Sequence, residues 1–169
     1  MALDPKVMDF VSENHKAVLS TFRRDGATQM SIVSTGPYKD GVAFSSTEDR
    51  AKLRNLECDP RCSLLVSKDN WWGYVVLEGR AQIISSKTAT PDELRDAMRD
   101  VYRAAAGKEH PDWDEYDEAM VKENRATVVV IPDKVYGTLA TAKPLNPPGL
   151  QHDVAVFNGD DAPAWPIVL

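Results

Sequence analysis

Residues 44–56 read Phe44-Ser45-Ser46-Thr47-Glu48-Asp49-Arg50-Ala51-Lys52-Leu53-Arg54-Asn55-Leu56. An apolar strand ends in three hydroxyl residues and runs into a helix bearing Arg50, Lys52 and Arg54. A strand that passes directly into a helix N-terminus makes a cradle for an anion, because backbone N–H groups and the helix dipole both favour negative charge there. Arginine can grip a phosphate through two parallel hydrogen bonds, and lysine adds a point charge. The same residues also suit a solvated helix face on which Glu48 and Asp49 partner the cations, and charge composition alone favours that plainer reading.

Working outward, the flanks alternate as strands do. N-terminal to the cradle, Asp4-Pro5 starts a helix with a capping carboxylate and a first-turn proline, and Val7, Met8, Phe10 and Val11 give it an apolar stripe. Strands are expected over residues 17–22 and 28–34, joined by a tight turn at Asp25-Gly26, and over residues 42–46 after a turn through Asp40-Gly41. The cradle helix is expected over about residues 48–57, closed by Asp59-Pro60. Beyond it, strands are expected over residues 62–67 and 74–84, and Gly79 inside the second marks a bulge or a close backbone approach. Thr90-Pro91-Asp92-Glu93 opens a helix that Gly107 ends; another covers about residues 112–123. A last strand over residues 126–131 continues past Pro132 towards Leu139. About six strands with hairpin turns and few helices argue for a mainly β antiparallel barrel. Residues 1–139 form one domain in this reading. The proline-rich residues 140–169 end on an apolar string and are expected to pack on the same domain.

The chain has 169 residues and a net charge of −6, which removes any global field for nucleic acid or anionic lipid. No apolar run is long enough to span a bilayer, and the first ten residues lack a signal-peptide core. A cytoplasmic protein is expected. Cys58 and Cys62 read as two small apolar fillers, since no second pair accompanies them to hold zinc. His15, His110 and His152 are scattered and carry no assignment. There is no nucleophile motif, metal cluster or triad, which suits a reaction whose chemistry a cofactor carries.

The strand order, the segment SSTEDRAKLRNLECDPRCSLLV (residues 45–66), YVVLEGRAQII (residues 74–84) and the helical insert of residues 90–137 resemble the pyridoxamine 5′-phosphate oxidase-like split-barrel superfamily, and within it the F420-dependent oxidoreductase branch. The resemblance runs from about residue 5 to residue 139. It implies a six-stranded antiparallel Greek-key barrel of the FMN-binding split-barrel type. It also implies a homodimer whose second copy completes the site, and coenzyme F420 as cofactor with FMN as the alternative.

Carried over residue by residue, the resemblance puts the cofactor phosphate at Ser45, Ser46, Thr47, Arg50 and Lys52. Asn55 matches a family asparagine that binds there or fixes the helix. The ring would lie beside Gln29, Met30, Ser31, Ile32 and Val33, with Trp71, Trp72 and Tyr74 approaching from the second subunit. Gln29 and Ser31 also suit the polar side of an alternating strand, and the tryptophans also suit a barrel cap. The implied activity is hydride transfer between F420 and an unsaturated or quinone-like small molecule. An FMN-dependent oxidoreductase and a non-enzymatic flavin, F420 or haem-binding protein stay open beside it. Oxidation of pyridoxamine phosphate itself is not expected, because the C-terminal segment shows no basic, histidine-containing motif.

Overall fold

A computed structural model describes residues 3–139. The elements are α1 (Pro5–Glu13), β1 (Lys16–Phe22), β2 (Thr28–Ser34), β3 (Gly36–Tyr38), β4 (Gly41–Thr47), α2 (Ala51–Cys58), β5 (Arg61–Ser67), β6 (Tyr74–Ile84), α3 (Pro91–Ala106), α4 (Trp113–Lys122) and β7 (Arg125–Thr138). The strands form one curled antiparallel sheet in the order β2-β1-β5-β6-β7-β4-β3, which agrees with the split-barrel expectation. The strands number seven rather than six. The addition, β3, is three residues long and contains Pro37, so it is too short to show a period of two. The expectation for residues 140–169 lies outside the described residues.

The inner face of the curl is the core. Leu19, Phe44, Leu64, Leu77 and Val128 are fully buried there, and Phe10 and Val11 of α1 and Leu53 and Leu56 of α2 close it. Alternation along β1 and β5 gives this directly, since every second residue is buried. The outer face of β4 and β7 is covered instead by α3, where Val101 packs on Ala43 and Val129. Residues 41–44 of β4 and 126–130 of β7 are therefore buried on both faces.

Gly79 is the irregularity its place in the strand suggested. The β6–β7 register slips between Glu78 and Gly79, which pair with Lys134 and Pro132 and leave Asp133 as the extra residue. A Cβ on Gly79 would overlap the Ile131 carbonyl. Pro132 is tolerated in a central strand because β4 ends its pairing with β7 at Val130, so no ladder bond asks for the missing N–H.

One boundary moves in a way that matters. Helix α2 begins at Ala51, not near Glu48. The Thr47 hydroxyl donates to the Asp49 carboxylate at 2.6 Å, and the Arg50 N–H turns back to the Thr47 carbonyl. Short polar side chains that bond locally compete with helix formation, and here they hold residues 48–50 in a turn.

Candidate anion site at the start of α2

Because α2 starts late, Arg50 becomes its N-cap, and no side chain closes the helix end. The other three helices are each capped by a side chain: Asp4 on α1, Thr90 on α3 and Asp112 on α4. A guanidinium at the positive end of a helix dipole is unfavourable, and an anion placed there would be stabilised by both.

Two more cations converge on this point. The half-buried Lys52 has its pKa held below the usual lysine value, first by burial and then by repulsion from Arg50 and Arg125. Arg125 opens β7, and antiparallel pairing sets it opposite Thr47. Its Nη1 donates to Ser45 Oγ at 3.3 Å and its Nε to the Glu123 carboxylate at 2.7 Å. Thr47, Arg50 and Arg125 line a cleft of about 470 Å³ with Glu48, Asp49 and Asn124 on its walls. The Thr47 hydrogen bond, helped by Arg50, lowers the Asp49 pKa, so this carboxylate stays ionised and partly offsets the cations.

The expected residues divide by strand alternation. Ser45 and Thr47 lie on the face of β4 that also carries Ala43 and packs on α3; Ser46 points the other way and is buried. On β2, Gln29, Ser31 and Val33 share the inward face, while Met30 and Ile32 face outward at 69% and 83% exposure. Val33 belongs to the core. Asn55 donates to Gln29 Oε1 at 2.9 Å and to Thr21 Oγ1 at 3.0 Å, and Gln29 donates to Ser31 Oγ at 3.4 Å. Of the two roles open to Asn55, this network supplies the structural one: it ties α2 to β1 and β2.

Trp71 and Trp72 stand in the β5–β6 turn at 63% and 53% exposure, and Tyr74 begins β6. Trp71 has φ 65°, a left-handed backbone unusual for a bulky side chain. A bond from Lys68 N–H to the Gly73 carbonyl closes this turn, and Lys16 Nζ ties it to β1 through Asp69. Within one chain, then, the fold gathers Ser45, Thr47, Arg50 and Lys52 near the cleft and adds Arg125. Val33 and Ser46 are buried, Gln29, Ser31, Asn55 and Tyr74 are half-buried, and Ile32, Trp71 and Trp72 are on open surface. Arg125 was not foreseen; nothing in its local sequence couples it to Arg50, and only the β4–β7 pairing does.

The outer face of the sheet carries one further pattern. Ile32, Val18, Leu65, Val76 and Tyr136 are successive cross-strand neighbours over β2, β1, β5, β6 and β7. They make a continuous apolar row in which Val76 is buried and Ile32 and Tyr136, at its two ends, are exposed.

Comparison with known proteins places these features. Among solved structures, the chain is similar to the conserved hypothetical protein Rv2991 from Mycobacterium tuberculosis (TM-score 0.67, 19% identity, covering 82% of this chain and 85% of that one). It is similar to an F420 reductase (TM-score 0.54, 20% identity, 76% and 94% covered). It is also similar to General Stress Protein 26 from Bacillus anthracis str. Sterne (TM-score 0.52, 18% identity, 79% and 91% covered). At these identities the likeness is one of fold. The family model described as pyridoxamine 5′-phosphate oxidase matches residues 3–144, most of the chain and every element described above, and the chain belongs to that family.

Proposed function

We propose that this protein is an oxidoreductase that transfers a hydride between coenzyme F420 and an unsaturated or quinone-like small molecule, with FMN as the alternative carrier. The observation that carries the reading is the uncapped N-terminus of α2, with Arg50, Lys52 and Arg125 gathered at it in a protein of net charge −6. The family supplies a flavin-type context, and one structural neighbour is named an F420 reductase. When bound, the cofactor ring supplies the hydride chemistry. The chain's own part is to grip the phosphate with Ser45, Thr47, Arg50 and Lys52, to seat the ring along β2 beside Ile32, and to exclude water. Ser46, Gln29, Ser31, Val33 and Asn55 support that surface from inside. The exposed thiol of Cys58 suits a reducing, cytoplasmic setting.

Equilibrium binding of F420 and of FMN to one preparation tests the cofactor. Tighter binding of F420, followed by turnover of quinone-like acceptors, is expected. Tighter FMN binding with flavin-driven turnover moves the assignment to FMN. Binding without turnover over a broad acceptor panel moves it to a carrier or storage role. Failure to bind either removes the proposal.

The reading also includes a homodimer. The row from Ile32 to Tyr136, with Met30 beside it, is an apolar strip of the kind that a two-fold interface buries. In that assembly, Trp71, Trp72 and Tyr74 of a second copy would border the ring. Sedimentation should find a dimer at micromolar concentration, and Ile32→Glu should shift it towards monomer and weaken cofactor binding. A wild-type monomer that binds cofactor normally would refute this part.

A further inference from the structure

We propose that Arg125 is a third cationic ligand of the phosphate, and that the tyrosine-walled cleft on its other side takes the hydroxyl-bearing carbons of the same phosphate ester; this rests on the phosphate reading above. Arg125 stands between two concavities. One is the cleft at Thr47 and Arg50. The other, of about 320 Å³, is lined by Ser34, Ser45, Tyr102 and Tyr116 as well as Arg125. The bonds to Ser45 and Glu123 use two of the five N–H donors of the guanidinium.

Two features of this second cleft fit a polar ligand. Its wall is fixed: Tyr116 donates its hydroxyl to the Met98 carbonyl, and its ring meets those of Tyr102, His110 and Trp113 at centroid distances of 5.2–5.4 Å. Next, Ser34 and Ser45 bring hydroxyls from β2 and β4 to one space, and hydroxyls both donate to and accept from a polyol.

The electrostatics agree. Arg50 and Arg125 both disfavour the charged form of Lys52, so the three cations crowd one place. A phosphate between them would turn that repulsion into three charge-assisted contacts.

The test compares whichever of F420 or FMN the wild type binds with its dephosphorylated counterpart. Arg125→Gln should weaken the phosphorylated ligand by about ten- to a hundredfold, as loss of a charge-assisted contact does, and leave the dephosphorylated one unchanged. Ser34→Ala, which touches only the second cleft, should weaken both ligands by the same few-fold. If Arg125→Gln weakens both equally, Arg125 acts through cleft shape and the proposal fails. If it changes neither while Arg50→Ala weakens the phosphorylated ligand, Arg125 is not a ligand but the phosphate site stands. If neither variant has an effect, the phosphate site itself is misplaced. Should Arg125→Gln fail to fold, Arg125→Lys keeps the charge without the planar fork. A few-fold loss confined to the phosphorylated ligand is then expected, and an equal loss for both ligands would overturn the idea.

Discussion

Lys52→Ala should lower affinity for the phosphate-bearing cofactor by about ten- to a hundredfold, the equivalent of about 1.5–3 kcal/mol for a hydrogen bond to a charged group. Lys52 is half-buried on the first turn of α2, beside the uncapped end that Arg50 leaves. Removing the ammonium takes away a contact and also relieves its repulsion with Arg50 and Arg125. The variant should therefore be no less stable than the parent when cofactor is absent, and the loss should appear only in binding. Isothermal titration of both proteins, with thermal unfolding of each without ligand, separates the two effects. The pH profile gives a second signature. Folding lowers the Lys52 pKa below the usual 10.5, because burial and two cations disfavour the charged form. A bound phosphate favours the charged form, so ligand binding takes up a proton as Lys52 begins to titrate. Affinity should fall with rising pH, starting below the range of an ordinary lysine, and Lys52→Ala should abolish that fall. Unchanged affinity in both Lys52→Ala and Arg50→Ala would remove the basis of the site.

Phe44→Ala should cost about 3–5 kcal/mol of folding stability, the usual penalty for emptying a buried aromatic site. Phe44 is fully buried, on the inner face of β4, in the cluster that joins α1, α2 and the curled sheet. Single domains retain only about 5–15 kcal/mol in total, so the variant should approach the unfolding threshold. The neighbouring Ser45 faces the other way, towards the clefts. Slackening of β4 should therefore reach the site through the backbone and weaken cofactor binding even in the folded fraction. Urea unfolding gives the stability, and binding measured well below the midpoint gives the coupling. A loss under about 1 kcal/mol would mean that the inner face collapses around the gap, contrary to tight packing there.

Much of the fold is legible in the chain because its signals are local. Asp4-Pro5 and Thr90-Pro91 cap helices where they stand, and the second is a full capping box with Glu93. The strands over residues 28–34 and 74–84 begin and end where their alternation and flanking turns put them. Gly79 interrupts the second as a bulge for a steric reason that glycine alone can meet. Where the structure departs from those local signals, less obvious local chemistry is the cause. The bond between Thr47 and Asp49 delays α2, and Pro37 sits in a strand too short to show a pattern.

By itself, then, the sequence determined the elements, the mainly β class and the cation-bearing strand-to-helix junction, since hydrogen bonding, capping and periodicity act over a few residues. Tertiary structure alone decided which of those residues meet. Pairing of β4 with β7 carries Arg125 to Ser45 and Thr47, and pairing of β1 with β5 aligns the apolar row from Ile32 to Tyr136. Strand alternation then sorts the residues of β2 and β4 into inner and outer sets, sending Ser46 inside while Ser45 and Thr47 face the clefts. These juxtapositions follow from sheet order and register, which depend on how the whole set of strands buries its apolar faces at once, and no window along the chain contains that information.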